Sequence, residues 1–471
     1  MNIAGPVKLR LYLAIALDIV IAIYALALVV ILATGGIDLS WFRATDPSRP
    51  ILVLWTLVPI RVTLYLLQRR THPVSDISAR VRQAIQSIAD RIPPAVRDVA
   101  FAFVVTRTGS LTIGFFVNLL YPSERTRPFD LPFDIAKLAE IFAAWDSGWY
   151  FDIASRGYYY SEDGQSSIAF FPLYPMAMRA LAWPFGSSDA AVWAAGIAIS
   201  LSSFLAGLIV LHRYTHRLFG DRDIARRTVL YVSVFPFSFF LARVYPSGLF
   251  FLLTVLAVSA ASQSRWWQAG IWGGLAALTR PQGILIAVPL ALMAMRGADR
   301  RAIVTRVTAL MPIPIAFAGY NLYITMLSGD LFAWLSSESR WGYTLGNPPW
   351  EQLLGLIARV TRYGVYDYFF TSNLAAYHLI QGVTALVLVA ALPAVFVRLG
   401  VPLGGYVLVS LLVPLSGNAL EGIGRYSAVL FPVFMLLATI KSPRFHEAYL
   451  ILSSLFLALF VGLFATWRPI Y

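Results

Sequence analysis

Apolar runs of membrane-crossing length alternate with short arginine-bearing connectors along almost the whole chain. An α-helix needs about 20 apolar residues to cross hydrocarbon, and Leu11 to Thr34, Ala190 to Leu211 and Ala448 to Trp467 are the clearest such runs. The alternation of period two that marks a membrane β-barrel is absent. The pattern therefore predicts an all-α polytopic membrane protein. Crossings are expected at 11–34, 50–68, 98–121, 190–212, 228–243, 246–264 and 267–280, then at 281–296, 307–327, 374–397, 401–417, 426–440 and 448–467. Some are short, so the count lies at about 11 to 13 helices.

Arginine and lysine set the orientation, because basic connectors stay on the cytoplasmic side. Lys8 and Arg10, Arg69 to Arg97, Arg213 to Arg227, Arg265, Arg296 to Arg306, Arg398 and Lys441 to Arg444 mark that side. Two large loops, 122–189 and 328–373, then face outward. Residues 69–97 suit a surface helix. Ile168 to Pro184 is apolar, but Pro172, Pro175, Arg179 and Pro184 argue against a straight crossing, and a crossing there would put Arg213 to Arg227 on the wrong side. A juxtamembrane or re-entrant element is expected. Residues 1–97 read as a two-span extension with a basic connector, and 98–471 as the main transmembrane domain.

Composition agrees. The 471 residues are 58% hydrophobic and 13% charged, with a mean hydropathy of +0.69. The net charge of +13 resides in the membrane connectors, so it does not point to nucleic acid. Without cysteine, disulfides, iron–sulfur clusters and thiol nucleophiles are excluded. The first apolar run is too long for a signal-peptide core and reads as a retained span.

Candidate chemistry gathers in the first outer loop, at Trp145-Asp146-Ser147-Gly148-Trp149-Tyr150-Phe151-Asp152, then Arg156-Gly157-Tyr158 and Phe170-Phe-Pro-Leu-Tyr-Pro175. Carboxylates beside membrane spans are costly unless they serve a function. Ile135, Leu138, Ile141, Phe142 and Trp145 recur at helical spacing, which predicts an interfacial helix with Asp146 near its end. Pairing Asp146 with Asp152 needs a bend, which Gly148 can supply. The bland reading is an interfacial aromatic belt with solvated carboxylates. The chemical reading makes Asp146 a general base, with Asp152 as its partner.

Three arginines fall at broken helix ends on the same outer face: Arg243 before Pro246, Arg280 before Pro281, and Arg425 before Tyr426. Singly, each suits a snorkelling cation. Together they suggest an anion site, because the guanidinium fork matches phosphate. Arg107 and Arg156 are further candidates. The five histidines form no cluster near this face, so no metal site is expected, although a divalent cation is compatible with Asp146 and Asp152. No strand–glycine-rich–helix unit offers a nucleotide site.

Trp145-Asp146, Ile153-Ala154, Gly157-Tyr158 and Ala169-Phe-Phe-Pro-Leu-Tyr-Pro175 resemble the first-loop signature of the PIG-V mannosyltransferase family and its prokaryotic relatives. Phe235 to Gly248, Leu278-Thr-Arg280 with Gly283, Trp341, Arg425-Tyr426 and Phe431-Pro432 are similar to later motifs of that family. Gly248 departs from it, standing where members often carry an acidic residue. The resemblance implies a GT-C-type multispanning glycosyltransferase in a prokaryotic plasma membrane, with its active site on the extracytoplasmic face and no required cofactor. The donor would be a polyprenyl-phosphate sugar (mannose for the eukaryotic members) and the acceptor a lipid-linked or glycan hydroxyl. In that reading Asp146 is the base, and Arg280, Arg243 and Arg425 hold the donor phosphate. Trp145, Trp149, Arg156, Tyr158, Tyr245 and Tyr426 contact substrate. The rival is a transporter or flippase of lipid-linked sugars, which would show charges at mid-membrane depth and repeat symmetry.

Overall fold

The computed structural model describes residues 16–28, 37–39, 42–44, 48–67, 93–121, 141–162, 164–331, 333–340, 342, 344 and 346–470. The expected surface helix at 69–97 lies outside these residues up to position 92, as do Trp341 and 122–140 of the first outer loop. The chain divides into two compact units, one of residues 1–92 with 131–136 and one of residues 93–130 with 137–471.

In the first unit, the helices Ala16–Leu28 and Ser48–Leu67 are joined by an ion pair. Arg61 donates from Nε to Asp18 Oδ1 at 2.6 Å and from Nη2 to Oδ2 at 2.8 Å. The fork satisfies both carboxylate oxygens, as a charge pair between apolar helices requires. Between them lie two three-residue strands, paired antiparallel with Ile37 opposite Ala44. The sequence pattern gave no sign of this short ribbon.

The second unit is helical. Among the described residues five helices are long and apolar enough to cross a membrane: Pro94–Leu120, Asp189–Phe219, Arg300–Ser328, Ala375–Leu399 and Pro443–Ala465. This is a multi-pass membrane protein. The other expected crossings of this unit are shorter helices, such as Ser247–Ala261, Trp266–Ala277 and Val401–Leu415. Leu173–Ala182, within the doubtful 168–184 segment, has 10 residues and is only about 15 Å long. It cannot span the bilayer.

Helices approach closely where side chains are small, since packing rather than water exclusion joins helices in lipid. A Cβ on Gly207 would lie 2.6 Å from the Phe251 ring, and one on Gly270 would lie 1.9 Å from the Ala309 carbonyl. The expected span at 228–243 breaks. The α-helix Arg222–Val234 ends, and a 3-10 turn covers Ser238–Ala242. Arg107, buried in the Pro94–Leu120 helix, reaches this break and donates to Ser233 O at 2.6 Å and Ser238 O at 3.0 Å. A helix end at membrane depth leaves carbonyls without partners, and Arg107 serves that structural need.

The described part of the 122–189 loop is tied to the Asp189–Phe219 helix by Tyr174, which donates to Gly196 O at 2.9 Å, and to itself by Arg179, whose Nε donates to Ala154 O at 2.6 Å. Phe151 stacks on Trp193 with ring centroids 4.5 Å apart. From the Pro312–Ser328 helix, Tyr320 donates to Ile168 O at 2.9 Å.

Candidate active site

The expected helix over Ile135–Phe151 is interrupted. Ile141 and Phe142 are helical, the chain then turns, and a new helix runs over Ser147–Arg156 with Asp146 at its N-cap. The break falls at Trp145, which has a φ of 57°, and Gly148 sits inside the new helix. Left-handed backbone at a tryptophan is costly, and the fold holds it from outside. The Tyr245 hydroxyl accepts the Asp146 N–H at 3.2 Å and donates to Ala144 O at 3.0 Å.

Asp146 does not cap its own helix through its side chain. Its carboxylate turns to Arg425, whose Nη1 donates to Oδ2 at 2.6 Å. The side chains retain 27% and 12% exposure respectively, so the pair remains open to solvent or ligand. Arg425 sits in the five-residue helix Ile423–Ser427. That turn is pinned by the Gly424 N–H on Gln381 Oε1 at 2.7 Å and the Gly422 N–H on the Tyr377 hydroxyl at 3.1 Å. Gly422 needs its freedom, with a φ of +65°.

Arg280 follows the Trp266–Ala277 helix in extended backbone, where Pro281 prevents the helix from continuing. Its guanidinium carbon lies 5.1 Å from the Tyr426 ring centroid, and that of Arg425 lies 5.6 Å from the same ring. Tyr150, on the Ser147–Arg156 helix, interacts electrostatically with Asp146, Arg280, Arg425 and Tyr426, and burial pushes its hydroxyl pKa up. Glu338, on the Ala333–Arg340 helix of the second outer loop, interacts with Arg425 and Asp146. Burial pushes its carboxyl up to about 7, Arg425 pulls it back and Asp146 adds to the rise. That helix is anchored by Arg340, which donates to the Ser161 carbonyl, and by Trp334 against Phe317.

The structure thus brings together Asp146, Arg280, Arg425 and Tyr426, and adds Tyr150 and Glu338, which the sequence reading missed. Tyr150 had a signal. It lies four residues after Asp146, on the same helix face. Glu338 had none, since its neighbourhood exists only in the tertiary fold.

Other expected members fall elsewhere. Asp152 pairs with Arg156 at 3.1 Å on the exposed side of the helix, where Arg156 is 78% exposed. Helical rotation of 100° per residue turns Asp152 about 120° away from Asp146. Arg243 does not join Arg280 and Arg425. It is buried over the rings of Phe142 (5.3 Å) and Phe464 (5.9 Å), with Arg107 as its charged neighbour. Tyr245, also expected at the site, is fully buried, and its hydroxyl is committed to the Asp146 turn. Trp149 is stacked on Phe170 and Tyr159, Trp145 packs on Trp467, and the Tyr158 hydroxyl donates to Phe170 O at 2.6 Å. These three rings are half-buried and each packs against its own surroundings in the fold. Among the described residues no group of three or more His, Asp or Glu side chains is placed to hold a metal ion.

Gly248, the departure noted in the sequence, has a steric cause. A Cβ there would lie 2.3 Å from Leu241 O and 2.9 Å from Ser200 O. An acidic side chain has no room on this backbone.

The family model described as mannosyltransferase (PIG-V) matches residues 118–317, in agreement with the resemblance carried by the motifs. GPI mannosyltransferase 2 of Drosophila pseudoobscura pseudoobscura is 29% identical over 112 residues, covering 22% of this chain and 24% of the relative. GPI alpha-1,6-mannosyltransferase 2 of Rattus norvegicus is 25% identical over 210 residues, covering 41% and 42%. The chain therefore spans less than half the length of either relative. Among solved structures, the apo oligosaccharyltransferase of Archaeoglobus fulgidus aligns with a TM-score of 0.45 at 12% identity, over 78% of this chain and 56% of that one.

Proposed function

We propose that this chain is an integral-membrane glycosyltransferase that moves a sugar, mannose by its relatives' names, from a polyprenyl-phosphate donor to a hydroxyl of a lipid-linked or glycan acceptor. The observation that carries the reading is the convergence of Arg280 and Arg425 on Tyr426 beside the Asp146 carboxylate. Two forked cations beside one carboxylate suit a reaction that gathers negative charge on a departing phosphate while a hydroxyl loses its proton.

In the proposed step the acceptor oxygen attacks the anomeric carbon from the face opposite the phosphate. The bond from that carbon to the phosphate oxygen breaks, and its electron pair leaves with the phosphate. Arg280 and Arg425 hold that charge. The acceptor proton passes to Asp146, and the anomeric configuration inverts. Arg425 serves twice in this scheme. It holds Asp146 in place without ligand, and an arriving phosphate competes for the same guanidinium and frees the carboxylate. Glu338, in its ionised form, accepts a hydrogen bond from a second acceptor hydroxyl.

The test is to incubate the purified protein with labelled polyprenyl-phosphate mannose and a membrane lipid and glycan extract. Mass spectrometry is expected to find a product one hexose heavier. No such product, together with movement of intact donor between leaflets of a vesicle, would favour the transporter reading.

A further inference from the structure

At the other end of the Asp189–Phe219 helix from the Asp146 site lies a separate cavity of about 380 Å³, lined by Pro93, Pro94, Ala95, His212, Arg213, His216, Arg217 and Arg222. Gly196 and Ser200, which meet Tyr174 beneath the first outer loop, precede His212 by three to four turns, or about 20 Å. The cavity is independent of the proposed reaction and belongs to the end that carries the basic connectors.

Its lining is mainly apolar, and the basic residues around it carry more positive charge than the local carboxylate neutralises. Asp98 takes both nitrogens of one arginine fork, Arg222 Nε and Nη2, each at 3.0 Å, and also contacts His212 Nε2 at 3.0 Å. That accounts for one positive charge. Arg213 and Arg217 remain, and the Arg217 fork is used on one side only, where Nη2 donates to Ser259 Oγ at 2.7 Å. The N-terminus of the long Pro94–Leu120 helix forms the opposite wall, with no acidic residue in its first turn, so the helix dipole adds to the positive potential.

A second observation points to a ligand. His212 is 3% exposed, and its Nδ1 is buried with no hydrogen-bond partner among the described residues. A buried ring nitrogen left unpaired is costly, and this one belongs to a residue that lines the cavity. The volume suits a small headgroup. Basic pockets between membrane helices at the cytoplasmic end are where anionic lipid headgroups bind.

We infer that this cavity binds a phosphate-bearing anion, presented by the headgroup of an anionic phospholipid in the adjoining leaflet, with Arg213, His216 and Arg217 as its main contacts. The proline pair and the arginine stems supply the apolar floor on which the glycerol portion rests. A free phosphate shares the recognising chemistry, and the experiment separates the two sources.

The full-length protein is placed in nanodiscs of phosphatidylcholine alone, phosphatidylcholine with phosphatidylglycerol, or phosphatidylcholine with inorganic phosphate in the buffer. Thermal stability is followed in each, and bound lipid is counted by native mass spectrometry. The expected result is a raised Tm and retained phosphatidylglycerol in the wild type. The Tm increment over phosphatidylcholine alone and the number of retained lipids should both fall several-fold in the double variant Arg213→Ala with His216→Ala, whose exposed side chains leave the packed core intact. The control is Arg301→Ala, a basic residue outside the cavity. Equal losses in the control and the double variant would reduce the effect to general attraction by a positive surface and overturn the site. Stabilisation by inorganic phosphate in pure phosphatidylcholine, lost in the double variant, would keep the anion site but assign it a soluble source. No response to either anion overturns the inference outright.

Discussion

Arg425 and Asp146 are 279 positions apart in sequence, yet a single 2.6 Å hydrogen bond joins them at the centre of the candidate site. The contact fixes the carboxylate and occupies the guanidinium that the proposed reaction needs for phosphate. Asp146→Asn keeps the shape but removes the charge and the base. Transfer is expected to fall about a hundredfold or more, the usual range for a lost base, while detergent-solubilised protein remains monodisperse. Transfer within a few-fold of wild type would remove Asp146 from the chemistry.

If donor phosphate displaces Asp146 from Arg425, donor binding must precede productive acceptor binding. Initial-rate kinetics are expected to show ordered addition, donor first. In Arg425→Lys the fork is lost and a point charge remains, so donor KM rises and the order relaxes. Random addition in the wild type would count against the exchange.

Arg280 touches the site through Tyr426 and has no carboxylate partner of its own among the described residues. Arg280→Gln should raise donor KM and lower kcat together, because the phosphate is bound in the ground state and gains charge as it leaves. An unchanged donor KM would assign Arg280 to packing against Phe250 and Tyr426 instead.

Glu338 supplies a pH test. Its carboxyl is raised from 4.5 to about 7 by burial, so the folded protein still holds a proton that the unfolded chain has lost. Stability contributed by this group is therefore present below about 4.5 and is lost as pH rises toward 7. Glu338→Gln should flatten the fall in Tm across that window. Acceptor affinity runs the other way in the wild type, strengthening as the carboxylate forms, and this dependence should vanish in the variant. A variant that keeps the wild-type pH profile would place the titration elsewhere.

Tyr245 acts on the site only through position. Tyr245→Phe leaves the Asp146 N–H without its acceptor while the Ala144 carbonyl keeps Ser147 as donor, a loss of about 1 kcal/mol. Lower Tm and slower transfer are expected together. Normal transfer in a destabilised protein would show that the Trp145 turn holds without the hydroxyl.

Much of this architecture was legible in the chain. Apolar runs gave the helices, and Pro246 and Pro281 marked two breaks that the structure contains, because proline removes a donor and clashes with the preceding turn. The cluster of Asp146, Arg280, Arg425 and Tyr426 was legible where local chemistry sufficed, since these residues carry unusual charge or ring character beside membrane spans. Legibility failed where neighbours are distant in sequence. Nothing near Trp145 announces its positive φ, since the restraint comes from Tyr245, 99 positions away. Packing partners cannot be read from residue type, and Trp149 stacks on Phe170 within its own loop. Arg243 shared every sequence feature of Arg280 except the one that matters, which side of an aromatic layer it occupies.

That position has its own consequence. Arg243 is 2% exposed, and its Nε and Nη2 have no hydrogen-bond partner among the described residues, while Arg107 beside it adds a second buried cation. Coulomb fields in a low-dielectric interior reach well beyond contact distance. Two charges sealed behind the ring wall cannot grip a ligand, but they bias the space in front of it toward anions before any lipid arrives, much as a magnet set behind a panel acts on its face.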